Sequence, residues 1–173
     1  MSQLPSVRQF QSSEWKIYKD LRLRALADSP NAFGSLLSIE LELTDAQWAE
    51  SLVAASVSGL DLPLIACVGA EPAGLAWAKA GAMDPSTIHL FQVWVAPAHR
   101  GRGLGRSLLR TAIQWGRDRG AKAMLLGVTC GDTSAFRLYV SVGFKPVGTT
   151  RPLRPGSQVQ VQEMRLEFHQ CGA

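Results

Sequence analysis

The sequence has 173 residues, of which 46% are hydrophobic and 18% charged, a composition that is typical of one globular domain and excludes a disordered chain. The formal net charge is +4, yet residues 97–131 hold seven of the eighteen Lys and Arg against one acid, so this stretch carries +6 and the remainder −2. Charge concentrated in this way indicates a local anion site, whereas proteins that coat nucleic acid or membranes spread their basic residues more widely.

The N-terminal third predicts one strand and two helices. Ser6–Phe10 alternates in polarity as a short strand does, and Glu14–Ala27 has the apolar spacing of an amphipathic helix. Residues 31–43 are ambiguous between loop, turn and helix. Thr44–Gln47 has the spacing of a capping box, which predicts a second helix that ends at about Val57.

The rest of the chain is dominated by strands. Leu104–Arg119 is the clearest helix, and Thr133–Val142 predicts a shorter one with Asp132 as its N-cap. Runs of apolar and β-branched residues predict six strands, Leu62–Val68, Ala73–Ala80, Ile88–Val95, Ala123–Thr129, Phe144–Thr149 and Val159–Phe168. This order predicts an α+β or mixed α/β fold in which helices pack on one sheet.

Membrane, secreted and metal-binding classes are not indicated. No apolar run approaches the roughly 18–20 residues of a membrane span, and the N-terminus lacks the apolar region of a signal peptide. Three scattered cysteines make neither a disulfide framework nor a zinc site. We therefore expect a cytoplasmic protein without a membrane partner and without a metal.

Residues 93–108 combine several features that bind anions. The strand Val93–Val95 leads into a glycine-rich turn that opens the helix at Leu104. Glycines let the backbone approach a phosphate, and the unpaired N–H groups of a helix N-terminus carry partial positive charge. The turn is neither a dinucleotide fingerprint nor a P-loop, because the glycine spacing and the following residues differ. Full charges come from Arg100, Arg102 and Arg106.

Two motifs resemble those of the GCN5-related N-acetyltransferase (GNAT) superfamily. Arg100-x-x-Gly103-x-Gly105 after a Val-x-Val strand resembles the family's pyrophosphate-binding motif. Residues 132–144 resemble Asn-x-x-Ala-x-x-Leu-Tyr-x-x-x-Gly-Phe, with Asp132 where asparagine is common. The resemblance covers most of the chain. It implies one GNAT domain over residues 1–173, with a mixed, mostly antiparallel sheet of six to seven strands and about four helices.

The resemblance also implies acetyl-CoA as the donor. The backbone of Val93–Val95 would pair with the pantetheine arm like an added strand, and an N–H near Val95 would polarise the thioester carbonyl. Relatives often separate this strand from its neighbour to admit that arm. The implied cofactor-binding residues are Val93, Trp94, Val95, Arg100, Gly101, Arg102, Gly103, Leu104, Gly105, Arg106, Asp132 and Tyr139.

Transfer from a thioester to an amine needs an acid and a base. The resemblance implies that Tyr139 is the acid that protonates the CoA thiolate, although a tyrosine on a helix is also ordinary core packing. The predicted base is His89, where histone-acetylating relatives have a glutamate, and histidine as a residue type is suited to accept a proton near neutral pH. Strand alternation places His89 on one face with Phe91, Val93 and Val95. Glu40 and Glu42 remain rivals.

The acceptor is expected to be a primary amine of a small molecule. Phe33 and Glu40 are predicted to bind it, and the charge of −2 outside residues 97–131 slightly favours a cationic amine. A protein or peptide amine and a non-catalytic acyl-CoA-binding module remain alternatives. The arginine-rich helix Leu104–Arg119 also leaves a nucleic-acid binder open, although no nucleic-acid partner is expected. The sequence also leaves open that the protein forms a homodimer.

Overall fold

Residues 4–131 and 133–169 are described by the structure, which is a computed structural model. Two short 3₁₀ turns, at Ser12–Glu14 and Pro97–His99, supplement the regular elements. In chain order these elements are β1 (Pro5–Gln9), α1 (Trp15–Asp28), α2 (Leu37–Glu40), α3 (Asp45–Ser58), β2 (Asp61–Val68), β3 (Glu71–Ala80), β4 (Thr87–Val95), α4 (Leu104–Asp118), β5 (Ala123–Thr129), α5 (Ser134–Val142), β6 (Lys145–Pro152) and β7 (Gln160–Glu167).

The strands form a seven-stranded sheet in the order β1-β2-β3-β4-β5-β7-β6. Neighbouring strands are antiparallel except β4 and β5, which run parallel. The predicted mixed, mostly antiparallel sheet is therefore confirmed. The helix beyond the expected four is α2, which lies in the segment that the sequence left ambiguous.

Two hydrophobic cores lie on opposite faces of this sheet. The larger core packs the apolar stripe of α4, including Leu108 and Ala112, against the central strands. The other packs α1 and α3 against the opposite face, with Tyr18, Leu21 and Trp48 among its members. Helices α1, α3 and α4 thus each bury one face.

The helix N-termini agree with the capping predictions in one case and differ in the other. At α3 the N–H of Gln47 donates to Oγ1 of Thr44 at 3.2 Å, and the N–H of Thr44 donates to Oε1 of Gln47 at 2.9 Å. At α5 the cap is Thr133, whose Oγ1 accepts from the N–H of Phe136 at 3.1 Å. Asp132, the predicted cap and cofactor ligand, lies outside the described residues.

A β-bulge divides β4 into two parts. Phe91 pairs with Trp77 and Trp94 pairs with Leu75, so two residues of β4 stand opposite one residue of β3. The bulge includes Gln92, whose φ of 57° lies in the left-handed region. Pairing of β4 with β5 covers only the stretch from Thr87 to Leu90, and beyond it the two strands separate.

The bulge also reverses the alternation of β4 side chains. Before it, Ile88 and Leu90 belong to the core beneath α4, whereas after it Val93 and Val95 pack against that same core. The prediction that His89 and Phe91 share a face with Val93 and Val95 is therefore wrong. An extra residue in one strand shifts its period-two pattern by one, which moves every later side chain to the other face.

Candidate active site

A cavity of about 1160 Å³ opens where β4 and β5 separate. Its walls come from the second half of β4, the end of β5, the glycine turn before α4, the first part of α5 and the segment from Asp28 to Ser35. Cavities for small ligands usually measure about 300–1,000 Å³. The volume therefore suits a long ligand together with a smaller one.

The glycine turn supplies an anion cradle at one end of the cavity. Gly101 and Gly103 have φ of 74° and 80°, which side chains other than glycine rarely adopt. The first backbone hydrogen bond of α4 is donated by the N–H of Ser107 to the carbonyl of Gly103 at 2.9 Å. The N–H groups that precede Ser107 at the start of the helix therefore have no partner within it. A Cβ built on Gly103 would meet no atom within 4 Å. Open space beside unpaired N–H groups fits a diphosphate.

The predicted phosphate ligands do not all face this cavity. Six of the seven turn residues line it, and Arg102 does not. Arg106 also joins α4 to α5, because its Nη2 donates to Oγ of Ser141 at 2.9 Å. The six that line the cavity are Arg100, Gly101, Gly103, Leu104, Gly105 and Arg106.

Arg100 has a second role that the sequence did not reveal. Its Nε donates to the carbonyl of Val95 at 2.9 Å, and its Nη2 pairs with Asp28 at the end of α1. The indole N–H of Trp94 donates to the same carboxylate at 2.9 Å. This indole hydrogen bond, with those from Ser29 and Arg100, lowers the pKa of Asp28 below its ordinary value. Arg100 and Asp28 thus connect the separated half of β4 to α1.

The edge of β4 that faces β5 has no strand partner after Leu90. Backbone groups from Phe91 to Val95 on that side therefore face the cavity, which they line together with Gly127 and Val128 of β5. A strand edge of this kind can accept an extended amide-containing ligand. The predicted backbone ligands Val93, Trp94 and Val95 all lie along it.

Tyr139 projects from α5 into the cavity wall. The residue is buried, its ring packs against Phe144 with centroids 5.9 Å apart, and it also lines the cavity. Within residues 4–131 and 133–169 its hydroxyl makes no hydrogen bond. Burial raises the pKa of Tyr139 well above that of a free phenol, so the hydroxyl stays protonated at neutral pH. It is therefore a hydrogen-bond donor without an internal acceptor.

The predicted bases do not line the cavity. His89 does not line the cavity; its ring stacks on Phe91 with centroids 6.2 Å apart, on the face away from α4. Besides its arginines and Tyr139, the ionisable residues that line the cavity are Asp28 and His99, and His99 pairs with Glu71 at 3.1 Å. The described part of the chain contains no group of three or more His, Cys, Asp or Glu placed to hold a metal.

The two predicted acceptor residues meet a third that the sequence did not single out. Phe33 lines the cavity and packs against Arg22, whose Cζ lies 4.9 Å from the ring centroid. Glu40 is not among the lining residues and accepts hydrogen bonds from Nε and Nη2 of Arg22, at 2.9 Å and 2.6 Å. The cavity therefore presents the arginine rather than the carboxylate.

Comparison with known proteins agrees with this geometry. The profile of the Acetyltransferase (GNAT) family matches residues 22–144. A GCN5-related N-acetyltransferase from Kribbella flavida is 25% identical, with a TM-score of 0.75, over 95% of this chain and 98% of that one. The paia N-acetyltransferase from Thermoplasma acidophilum, solved in complex with coenzyme A, is 17% identical with a TM-score of 0.74, over 95% and 99% of the two chains.

A human relative, N-acetyltransferase 8B, is 30% identical over 152 residues, or 86% of this chain. The match spans 57% of the relative's length, so this chain corresponds to little more than half of it. No helix within residues 4–131 and 133–169 is long and apolar enough to cross a bilayer.

Proposed function

This chain belongs to the Acetyltransferase (GNAT) family, and on that premise we propose that it transfers the acetyl group of acetyl-CoA to a primary amine of a small molecule. The observation that carries the proposal is one continuous cavity that joins the glycine turn, the unpaired edge of β4 and the Phe33 wall. Acetyl-CoA and the amine could meet there, midway between the glycine turn and the Phe33 wall.

Backbone groups, more than side chains, would bind the donor acetyl-CoA. N–H groups at the start of α4 would bind the pyrophosphate, and Arg106 would add charge. The edge from Val93 to Val95 would bind the pantetheine amides. Acetyl-CoA supplies the activated acyl group, and a backbone N–H at the end of β4 would stabilise the negative charge that develops on its carbonyl oxygen.

Tyr139 is the residue that would assist the departing sulfur. The amine nitrogen forms a bond to the carbonyl carbon, the carbon–sulfur bond breaks, the amine loses a proton and the sulfur gains one. A free phenol has a pKa of about 10 and a thiol about 8.5, and burial widens this gap. Complete proton transfer from Tyr139 is therefore uphill. Its hydroxyl would stabilise the thiolate by donating a hydrogen bond.

A route for the amine proton through water fits the cavity better than a side-chain base. His89 lies outside the cavity wall, and the Asp28 carboxylate is bonded to Trp94 and Arg100. The His99 ring, which does line the cavity, is paired with Glu71. An acceptor that binds as the neutral amine needs only solvent to carry its proton. The rate at low substrate concentration would then rise with pH toward the pKa of the amine itself, without an inflection near the ordinary pKa of histidine.

Contacts at the end of the cavity lined by Phe33, which we call its acceptor half, favour a small molecule over a peptide. Nη1 of Arg154 donates to the carbonyl of Phe33 at 2.9 Å, and Oγ1 of Thr129 donates to the carbonyl of Asn31 at 2.7 Å. These bonds join the segment after α1 to β5 and to the connection between β6 and β7. A peptide that crossed the cavity at this end would compete with these bonds, whereas a small molecule would not.

Thiol release from acetyl-CoA against a panel of amines, amino acids, aminoglycosides and peptides tests the proposal. We expect acetylation of one small-molecule class, with the product identified by a mass increase of one acetyl group. Acetylation of peptides alone would establish the peptide alternative. If CoA raised the melting temperature while no amine were acetylated, the chain would be an acyl-CoA-binding module.

A further inference from the structure

Arg22 carries an unsatisfied, buried donor in the wall of the acceptor half of the cavity. The residue is 4% exposed and lines the cavity. Its Nε and Nη2 donate hydrogen bonds to the carboxylate of Glu40. Its Nη1 is buried without a hydrogen-bond partner among the described residues. A buried N–H of a guanidinium is costly to leave unpaired, so the position calls for an acceptor atom from a ligand.

A second guanidinium lines the same cavity from β6. Arg151 makes no hydrogen bond or ion pair within the described part of the chain. It lies over the β5 wall, because a Cβ built on Gly127 would come within 3.8 Å of its Nη2. Arg151 is thus an available cation at the surface of the cavity.

Contacts through the sheet place both arginines toward the same end of the cavity. Arg151 pairs with Val161, and Val161 pairs in turn with Thr129. The Thr129 hydroxyl bonds to the carbonyl of Asn31, two residues before the Phe33 ring that packs on Arg22.

The charges that line the cavity are unequal. Asp28 is the one carboxylate among its described lining residues, and it is occupied by Trp94 and Arg100. The lining arginines are four, Arg22, Arg100, Arg106 and Arg151. Glu40 neutralises Arg22, so once phosphates neutralise the two at the glycine turn, the positive charge that remains in the acceptor half is that of Arg151. The local charge therefore opposes the cationic acceptor that the overall composition slightly favoured.

We infer that the acceptor carries a carboxylate beside its amine, as an amino acid does, and that Arg22 and Arg151 bind this group. The inference rests on the proposed function and narrows it to one substrate class. A planar carboxylate has two oxygens, one for the buried Nη1 of Arg22 and one for the exposed guanidinium of Arg151. Binding it would satisfy the orphaned donor and leave the amine free to reach the thioester.

The test compares α-amino acids with their primary amides as acceptors. The amide keeps the size and the amine but removes the negative charge, and its amine is the less basic of the two, so the neutral fraction favours the amide. We expect kcat/KM to be about ten- to a hundredfold higher for the acid. Equal or faster acetylation of amides, with transfer otherwise intact, would overturn the carboxylate site and leave the proposed function standing.

Variants separate recognition from folding. Arg151→Gln is expected to abolish the preference for the acid by lowering kcat/KM for the acid to that for the amide. Arg22→Lys keeps a charge beside Glu40 but removes Nη1, and should reduce the same ratio. Arg110→Gln, on the exposed face of α4, is the matched control and should keep the ratio. Retention of the preference in Arg151→Gln and in a folded Arg22→Lys would contradict the assignment.

A binding measurement keeps this site distinct from the reaction. With CoA present, N-acetyl amino acids should raise the melting temperature of the protein, their amides should not, and Arg151→Gln should remove the difference. If no amine is acetylated but the acids still stabilise the protein selectively, the proposed function fails and the carboxylate site stands. If the acids give no stabilisation beyond that of the amides, the carboxylate site fails.

Discussion

The hydroxyl of Tyr18 donates a 3.0 Å hydrogen bond to Oε1 of Gln92, the bulged residue of β4. Burial raises the pKa of Tyr18 to about 12, so this hydroxyl is a permanent donor at physiological pH. The bond ties α1 to the residue whose left-handed backbone begins the separation of β4 from β5. The core on the α1 side thereby helps to hold the cavity open.

Removing this bond should weaken catalysis more than folding. For Tyr18→Phe we expect a loss of about 1 kcal/mol in the free energy of unfolding. Because a displacement of about 1 Å in a reacting group costs up to about a hundredfold, we expect kcat/KM to fall by about ten- to a hundredfold. In Gln92→Asn, asparagine can adopt the left-handed backbone, but its side chain is too short to reach Tyr18. We expect this variant to lose stability and kcat/KM as Tyr18→Phe does. Strictly additive losses in the double variant would contradict a shared role.

Tyr139→Phe isolates the contribution of a hydroxyl with no partner inside the described chain. We expect kcat to fall by about a hundredfold or more, as for loss of one hydrogen-bond donor to a charge that develops in the transition state, while the affinity for acetyl-CoA changes little. Stability should be nearly unchanged, because the hydroxyl lines the cavity and makes no hydrogen bond to the described part of the chain. Isothermal titration with CoA and steady-state kinetics measure the two effects. An unchanged kcat would remove Tyr139 from the proposed chemistry.

Gly103→Ala tests the anion cradle against a matched glycine. Gly103 and Gly120 have φ of 80° and 73°, and a Cβ on either would meet no protein atom within 4 Å. The backbone strain of an added methyl is thus similar at the two positions, about 1 kcal/mol. Only at Gly103 would the methyl occupy the space proposed for the pyrophosphate. We expect the dissociation constant for CoA to rise at least tenfold for Gly103→Ala and to stay unchanged for Gly120→Ala.

The buried ion pair between Arg22 and Glu40 should respond differently from a surface pair. Their side chains are 5% and 13% exposed, so Glu40→Ala leaves a buried guanidinium without its counter-ion. We expect a loss of about 3 kcal/mol in the free energy of unfolding. Lys19→Ala breaks the exposed pair with Asp45 and should cost less than about 1 kcal/mol. Urea unfolding of both variants makes the comparison, and equal small losses would refute burial as the cause.

How far the sequence predicts this protein depends on the range of the interactions involved. Apolar runs placed the strands to within a few residues, and β5 agrees at both ends. The bulge at Gln92 was not predicted, because it depends on how β3 and β4 pair and leaves no local signal. The pairing of Arg100 with Asp28 joins residues 72 positions apart. Arg22 resembles any arginine of an amphipathic helix until Phe33 and Glu40 fold against it.

Asp28 gives the site a defined response to acid. Hydrogen bonds, first that from Trp94, lower the pKa of its carboxyl in the folded protein below the value in the unfolded chain. Its contribution to stability is therefore complete above the ordinary carboxyl pKa and is lost as pH falls through the lower folded pKa. Asp28→Asn should be less stable than the wild type at pH 7, and the difference should shrink below about pH 4. Asp20→Asn, whose carboxylate forms an exposed pair within α1, provides the control in urea titrations at several pH values. A difference between wild type and Asp28→Asn that stayed constant down to pH 2 would show that the carboxylate's charge does not hold β4 to α1.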